Sequence, residues 1–450
     1  MPDHSIPALP LARDAMSRAA IASLDAARAR GASDAEVEVS AAVGQSVTVR
    51  RGEVETVEYN RDKGLAITVY FGNRRGNAST SDLAPEAIQR TVDAACAIAR
   101  HTAEDEAAGL PDPDRLFRGD PPDLQLFHPW GLQVEEAIEL ARRTEAAALA
   151  VDKRITNSEG ATISAYDADF ILANTRGFLS GFPTSKSSIG CGVVAEDASG
   201  MQRDYWYTTH RDPARLEAPE HVGRLAGERS VRRLGGRRLA TMEVPVLFDA
   251  NVASSLIGHF VAASSGSSLY RKSSFLLDRL GTQVFAPVVE IHEDPHLPGE
   301  LASSYYDAEG VTTRSRNVVE AGILTGWFLS SHSARKLGLE STGNAGGNHN
   351  LLVRPGAHDF DALVKLMGRG LVVTEMMGQG VNMVTGDYSR GIAGFWVEGG
   401  EIRFPVEEIT IAGNLLDMFR GIREVGRDVV VRGSKHCGSI LVDRMTLAGE

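Results

Sequence analysis

The sequence predicts an α+β protein in two lobes. An N-terminal lobe over residues 1–238 carries a duplicated helix–strands–helix module, and a C-terminal lobe over 239–450 is mainly antiparallel β with a few helices. Three observations carry this. Apolar residues recur at helical spacing in four stretches and at a period of two between them. The order helix, strands, Pro-opened helix occurs twice, over 13–101 and 134–234. From residue 241 the chain turns to short apolar runs broken by glycine.

Taken in order, residues 13–30 read as the first helix. Val37 and Val39, Val47 and Val49, then Val54 and Val57 alternate as strands, and Leu65, Ile67, Val69 and Phe71 continue the period. Arg51-Gly52 is a hairpin turn between them. Pro85 opens a helix with Ile88, Val92, Cys96 and Ala99 on one face, capped by Ser81 or Asp82, which makes Cys96 a core residue. A Pro-rich, acidic stretch over 102–130 separates the two units. The second unit has a helix at 134–151, strands from Ile155 to Tyr207 with a turn at 174–177, and a helix at 219–234. Arg229, Arg232, Arg233, Arg237 and Arg238 crowd the end of that helix. Cations suit a helix C-terminus, and the cluster reads as a solvated linker.

In the second lobe, residues 244–248 form a strand that leads into a helix over 249–266, capped by Asp249 or Asn251. Residues 284–291 read as another strand. Turns fall at 320–323 and 398–401, and a helix is expected over 409–421.

Composition excludes several classes. Lys and Arg total 47 against 59 Asp and Glu, a formal charge of −12, which argues against nucleic acid and anionic membranes as partners. No apolar run approaches the ~20 residues of a membrane helix. The first residues lack the charged and apolar regions of a secretory signal, and three scattered cysteines make no disulfide framework, so the cytoplasm is the expected location.

Several short motifs invite chemistry. His292-Glu293-Asp294-Pro295-His296 matches the His-Glu-x-x-His pattern, which holds zinc only on a helix where both imidazoles share a face. Pro295 removes an amide from that turn, and the flanking sequence reads as strand and turn, so His292 and His296 are expected at a strand end and in a loop. Ser333-Ala334-Arg335-Lys336 fits Ser-x-x-Lys but lacks the companion motifs of that chemistry. Gly378-Gln379-Gly380 lacks the third glycine of a dinucleotide loop. The polar, Gly-rich runs 341–348 and 386–391 stand out in an apolar lobe. Glycine lets backbones approach closely, which marks Asn344, Gly346, Gly347, Gly378, Gly380, Asp387 and Ser389 as candidate peptide-binding residues, with tight turns as the plain alternative.

Residues 374–398 (TEMMGQGVNMVTGDYSRGIAGFWVE), 406–418 (VEEITIAGNLLDM) and 341–350 (STGNAGGNHN) together resemble the C-terminal signature of the PmbA (TldE) branch of the TldD/PmbA family. The likeness runs in chain order from about residue 244 to 449. It implies two lobes and subunits joined around a space where unfolded peptides are cleaved. One subunit type carries a zinc site with His-Glu-x-x-x-His, and the other lacks it and completes the assembly. Where the zinc-bearing relatives place that segment, this chain has His259, then Phe260 and Ser264 in place of Glu and the second His. The relatives also use a cysteine near the C-terminus as a ligand, which draws attention to His436-Cys437. Zinc hydrolysis needs about three protein ligands and a base. The resemblance therefore implies no catalytic or metal residue here, no cofactor bound by this chain, a TldD-like zinc subunit as partner and unfolded peptides as substrates. Two alternatives stay open: a self-sufficient zinc peptidase using His292, Glu293 and His296, and a non-enzymatic binding protein of the gyrase-modulator type.

Overall fold

A computed structural model of the protein describes residues 9–449. The first unit is α1 (Arg13–Ala29), β1 (Asp34–Arg50), β2 (Glu53–Phe71), β3 (Arg74–Thr80) and α2 (Pro85–His101). The second is α3 (Val134–Leu149), β4 (Ile155–Asn174), β5 (Leu179–Ser180), β6 (Thr184–Asp197), β7 (Gly200–His210) and α4 (Pro219–Arg232). Their strands form one antiparallel sheet in the order β3-β2-β1-β4-β6-β7, with β5 beside β4. The order is symmetric about the β1–β4 pair, so each unit contributes one half of the sheet.

The four helices share one face of that sheet. Val37, Val39 and Ala41 of β1 pack with Leu65, Ile67, Val69 and the helix residues Met16, Leu24, Val92 and Cys96. Val47 and Val49, farther along the same strand, pack with Ile163, Ile189, Val193, Ala141 and Val222. Burying one such Val or Ile side chain contributes roughly 1.5–3 kcal/mol. Because successive side chains alternate, Glu38, Ser40 and Ala42 face the other way, toward the second lobe.

That lobe contains β8 (Met242–Phe248), α5 (Ala250–Ala263), α6 (Gly266–Tyr270), β9 (Ile291–Asp294), β10 (Arg316–Glu320), β11 (Ile323–Leu324) and α7 (Ser331–Leu337). It continues with β12 (Asn350–Val353), α8 (Phe360–Met367), β13 (Arg369–Met377), β14 (Asp387–Glu398), β15 (Glu401–Asn414), α9 (Leu415–Arg420), β16 (Ile422–Val425), β17 (Lys435–His436) and β18 (Ile440–Ala448). One sheet runs β11-β10-β9-β12-β17, the other β15-β14-β13-β8-β18-β16. β15 also pairs with β18, which closes the second sheet on itself. Most pairings are antiparallel; β13–β8 and β12–β17 are parallel.

Three sequence expectations need correction. Residues 284–290 are not a strand. Val284, Phe285 and Val289 are fully buried, Phe285 stacks on Phe419 at 4.4 Å, and Pro287 lacks the N–H a ladder requires. Residues 409–421 are not one helix. Ile409, Thr410 and Ile411 prefer an extended backbone and stay in β15, and only then does Asn414 cap α9 by accepting a hydrogen bond from Leu416 N at 3.1 Å.

The arginine cluster is more than a solvated linker: Arg232, Arg237 and Arg238 are exposed, yet the cluster makes specific contacts. Arg229 Nε meets Asp204 at 3.1 Å, and Arg233 pairs with Glu375 of β13. Arg232 lies 5.0 Å over the Phe395 ring and Arg237 lies 4.4 Å over Phe404. Arg237 N also donates to Pro405 O at 3.0 Å, and its carbonyl oxygen accepts from Glu407 N at 3.2 Å, a main-chain bridge onto β15. Counting charges without partners hid a joint between the lobes.

Candidate functional site

A cavity of about 620 Å³ lies between the open face of the N-terminal sheet and residues 304–308 of the second lobe. Glu38 and Ser40 of β1, Asp62 and Lys63 of β2, and Asp169 and Phe170 of β4 form one side. Tyr306, Asp307 and Ala308 form the other. The size suits a small ligand or a few residues of peptide. Its character is acidic. Burial, reinforced by the nearby Glu309 charge, pushes the Asp307 carboxyl up to about 7, although it accepts hydrogen bonds from the N–H groups of Glu309, Val311 and Ala345. Glu36, one residue pair from the cavity along β1, is pushed to about 7 by burial and Glu309 against a hydrogen bond from Tyr70. Asp169 is instead clamped by Arg13 through two nitrogen–oxygen contacts of 2.5 and 3.1 Å.

The candidate peptide-binding residues fall in two places. Asn344, Gly346 and Gly347 back the cavity wall: Ala308 N donates to Ala345 O at 3.0 Å, and a Cβ on Gly346 would lie 3.5 Å from that of Ala308. Gly346 and Gly347 both have positive φ, at 100° and 122°. The Asn344 side chain is occupied internally, since Nδ2 donates to Glu293 Oε1 at 2.7 Å while Oδ1 accepts from Thr342 and Arg316. Gly378 and Gly380 lie in the β13–β14 connection of the other sheet, and Asp387 and Ser389 lie at the start of β14. There Ser389 N donates to Gly380 O at 2.7 Å, and Asp387 accepts from Thr385 Oγ1 at 2.6 Å. Among the described residues, no hydrogen bond joins the two groups.

His292, Glu293 and Asp294 lie in strand β9, and Pro295 and His296 form the turn that follows it. β9 puts His292 and Glu293 on opposite faces. His292 contacts Asn317 Oδ1 at 2.6 Å and Ser315 Oγ at 2.8 Å, and His296 contacts Thr313 Oγ1 at 3.1 Å. Glu293 points inward, 1% exposed, and accepts from Arg316 Nε at 2.9 Å and from His349 N at 2.9 Å. Burial favours its neutral form, but the His349 bonds and the Arg316 charge outweigh burial and hold the carboxyl below its usual range. It anchors the 341–350 run through Asn344 and His349.

Along α5, Asp249 caps the helix by accepting from Asn251 N at 2.9 Å. His259 lies edge-on to Tyr388, with ring centroids 5.9 Å apart, and burial followed by the Arg390 charge lowers its pKa. Phe260 is fully buried against Phe285 and Phe328, and Ser264 is fully buried too. Burial pushes the Cys437 thiol up to about 12 and, against the pull of Glu300, lowers His436. Among the described residues, no group of three or more His, Cys, Asp or Glu side chains converges as metal ligands would. Ser333 of the Ser-x-x-Lys match serves the α7 capping box, and Lys336 pairs with Asp105 at 2.6 Å.

The cavity residues Glu38, Asp62, Lys63, Asp169 and Asp307 went unnoticed in the sequence. Their one signal is alternation along β1 and β4, and charged residues on the open face of a strand read as solvent-facing.

The arrangement is a two-lobed metallopeptidase-family fold. Models of the PmbA/TldA metallopeptidase match it in three consecutive pieces: domain 1 over residues 35–99, the central domain over 127–234 and the C-terminal domain over 241–449. The chain belongs to the PmbA/TldD family. It is 52% identical over 423 residues to Metalloprotease PmbA of Escherichia coli O157:H7, spanning 94% of each chain. It is 47% identical to the Metalloprotease PmbA homolog of Haemophilus influenzae over 93% of each chain. A Bacteroides thetaiotaomicron crystal structure, described as a candidate modulator of DNA gyrase, is 26% identical with a TM-score of 0.92, covering 96% of this chain and 98% of that one. TldE of Thermococcus kodakarensis, 20% identical, shares the fold at a TM-score of 0.82 over 97% and 100% of the two chains. No helix among the described residues is long and apolar enough to cross a membrane.

Proposed function

We propose that the chain is the PmbA/TldE-type subunit of a cytoplasmic metallopeptidase complex acting on unfolded peptides, without a zinc site of its own. A TldD-like chain supplies the zinc and the base, and this chain completes the substrate chamber. The observation that carries the reading is α5. At the positions where zinc-bearing relatives have Glu and the second His, it buries Phe260 and Ser264 completely, leaving His259 alone beside Tyr388. One imidazole cannot assemble a hydrolytic zinc centre. The His292, Glu293 and His296 alternative lacks its geometry, because alternate strand faces separate the imidazole of His292 from the carboxylate of Glu293. The acidic interlobe cavity adds a concave surface that an extended peptide can enter.

The test is reconstitution with a TldD-like chain. The pair is expected to cleave an unfolded peptide in a chelator-sensitive manner, with zinc retained when His292 and His296 are both changed to Ala. Chelator-sensitive cleavage by the isolated chain would refute the assignment.

A further inference from the structure

A second, smaller cavity of about 160 Å³ lies where the N-terminal sheet meets α5 and the loop before β17. Tyr207, Asn251, Ser254, Arg432, Ser434 and Lys435 contribute to its lining. Two of these are cations in a chain whose formal charge is −12, and neither has a carboxylate within ion-pairing distance among the described residues.

The guanidinium of Arg432 lies 4.1 Å from the Trp206 ring centroid and 4.2 Å from that of Tyr207. Stacking fixes its plane but takes none of its five N–H donors. No described residue accepts a hydrogen bond from it, and its Nη2 is buried without a partner. Glu217, whose charge acts on it, accepts a hydrogen bond from Trp206 Nε1 at 2.9 Å. Lys435 Nζ reaches only Ser434 Oγ, at 3.2 Å, while its stem runs along α5 at Gly258. Of the other lining residues, Asn251 donates its amide nitrogen to Asp249 at 2.5 Å, and its carbonyl oxygen is buried without a donor.

Burying cations without an anion is costly, and a planar guanidinium prefers a bidentate oxyanion. A peptide's C-terminus offers a carboxylate and, one residue's width away, an N–H donor. We propose that this cavity binds the C-terminal carboxylate of a peptide, with Arg432 and Lys435 on the oxyanion and the Asn251 carbonyl oxygen on the terminal N–H. Inorganic phosphate shares the oxyanion chemistry but presents no amide. That the occupant is a peptide rests on the function proposed above; the pairing of two unanswered cations does not.

The experiment is calorimetric titration of the full-length chain with an N-acetylated tetrapeptide ending in glycine, its C-terminal amide, and inorganic phosphate at constant ionic strength. The free acid is expected to bind at least about tenfold more tightly than the amide, and Lys435→Met and Arg432→Met each to weaken it by about tenfold. Lys435→Met keeps the test decisive if Arg432→Met fails to fold. Equal binding of acid and amide, binding of phosphate alone, or an acid affinity untouched by Lys435→Met would overturn the proposal. A reconstituted complex that cleaves peptide despite such a result would leave the subunit assignment standing. Acid-selective binding by a chain that confers no activity on a zinc subunit would do the reverse.

Discussion

Glu293 and Arg316 form an ion pair, Oε2 to Nε at 2.9 Å, in which the carboxylate is withdrawn from water and the opposite oxygen holds Asn344 and His349. One buried charge thus fixes β9 to β10 and sets the path of the 341–350 run. Removing one partner of a buried pair strands the other.

Glu293→Gln is therefore expected to lower stability by about 3 kcal/mol, read from the urea midpoint. Asn344→Ala shares the network, so the double variant should lose less than the sum of the single losses by at least roughly 0.5 kcal/mol. Strict additivity would show that Glu293 and Asn344 act independently.

The lobes are predicted to be coupled through Arg233 and Glu375, both mostly buried. Arg233→Ala and Glu375→Ala should each cost about 1–2 kcal/mol and show a coupling near 1 kcal/mol in a double-mutant cycle. Protease cleavage near residues 235–240 should speed up in both variants. An unchanged cleavage rate would place the joint elsewhere.

Glu36 gives a pH dependence with a definite sign. Its pKa in the folded chain is about 7, above the ~4.3 of an unfolded glutamate, so folding takes up a proton between these values. Its contribution is therefore neutral below about pH 4 and increasingly unfavourable as the pH rises to about 7. Discounting for partial exposure, Glu36→Gln should stabilise the chain by about 1–2 kcal/mol at pH 8 and by almost nothing at pH 4. Calorimetric melting at the two pH values measures this, and equal shifts at both would rule out the carboxylate as the cause.

Gly380→Val is expected to be more damaging than Gly347→Val. A Cβ on Gly380 would meet Ser389 O at 2.0 Å, whereas one on Gly347 meets nothing within 4 Å and bears only the strain of a positive φ. Losses of about 3 and about 1–2 kcal/mol follow. Thermal unfolding orders the two, and the reverse order would mean that strain outweighs overlap. For testing peptide contact, Ser389→Ala is the cleaner change, because it leaves the Ser389 main-chain bond to Gly380 in place.

Much of the first lobe was legible because period and punctuation agreed. Pro85 and Pro219 open α2 and α4, Arg51-Gly52 turns β1 into β2, and Cys96 lies in the core as its helical face required. Pro295 likewise marked the His292 segment as non-helical. Elsewhere, local signals were ambiguous. Val284, Phe285 and Val289 are enclosed in the core, Phe285 between Phe419 and Phe260 of α5, and enclosure has no period. The extent of β15 depends on pairing along the full length of β14, its hairpin partner, and on β18, which comes only after α9, β16 and β17. The arginines at and beyond the end of α4 find Asp204, Glu375 and the rings of Trp206, Phe395 and Phe404 only in the folded chain. The cavity acids resemble any hydrated strand face until residues 304–308 cover them.

β2 extends well beyond β3, whose pairing begins only at Leu65, so residues 53–63 present an unpaired edge and are exposed throughout. An uncovered strand of that length, bearing Val54, Val57 and Tyr59, is an open template on which another extended chain could polymerise. Glu53, Glu55, Glu58, Arg61, Asp62 and Lys63 stand along the same stretch. Any newcomer must strip water from this row of charges before its first ladder bond forms, so the protein keeps a long free margin without seeding fibres of itself.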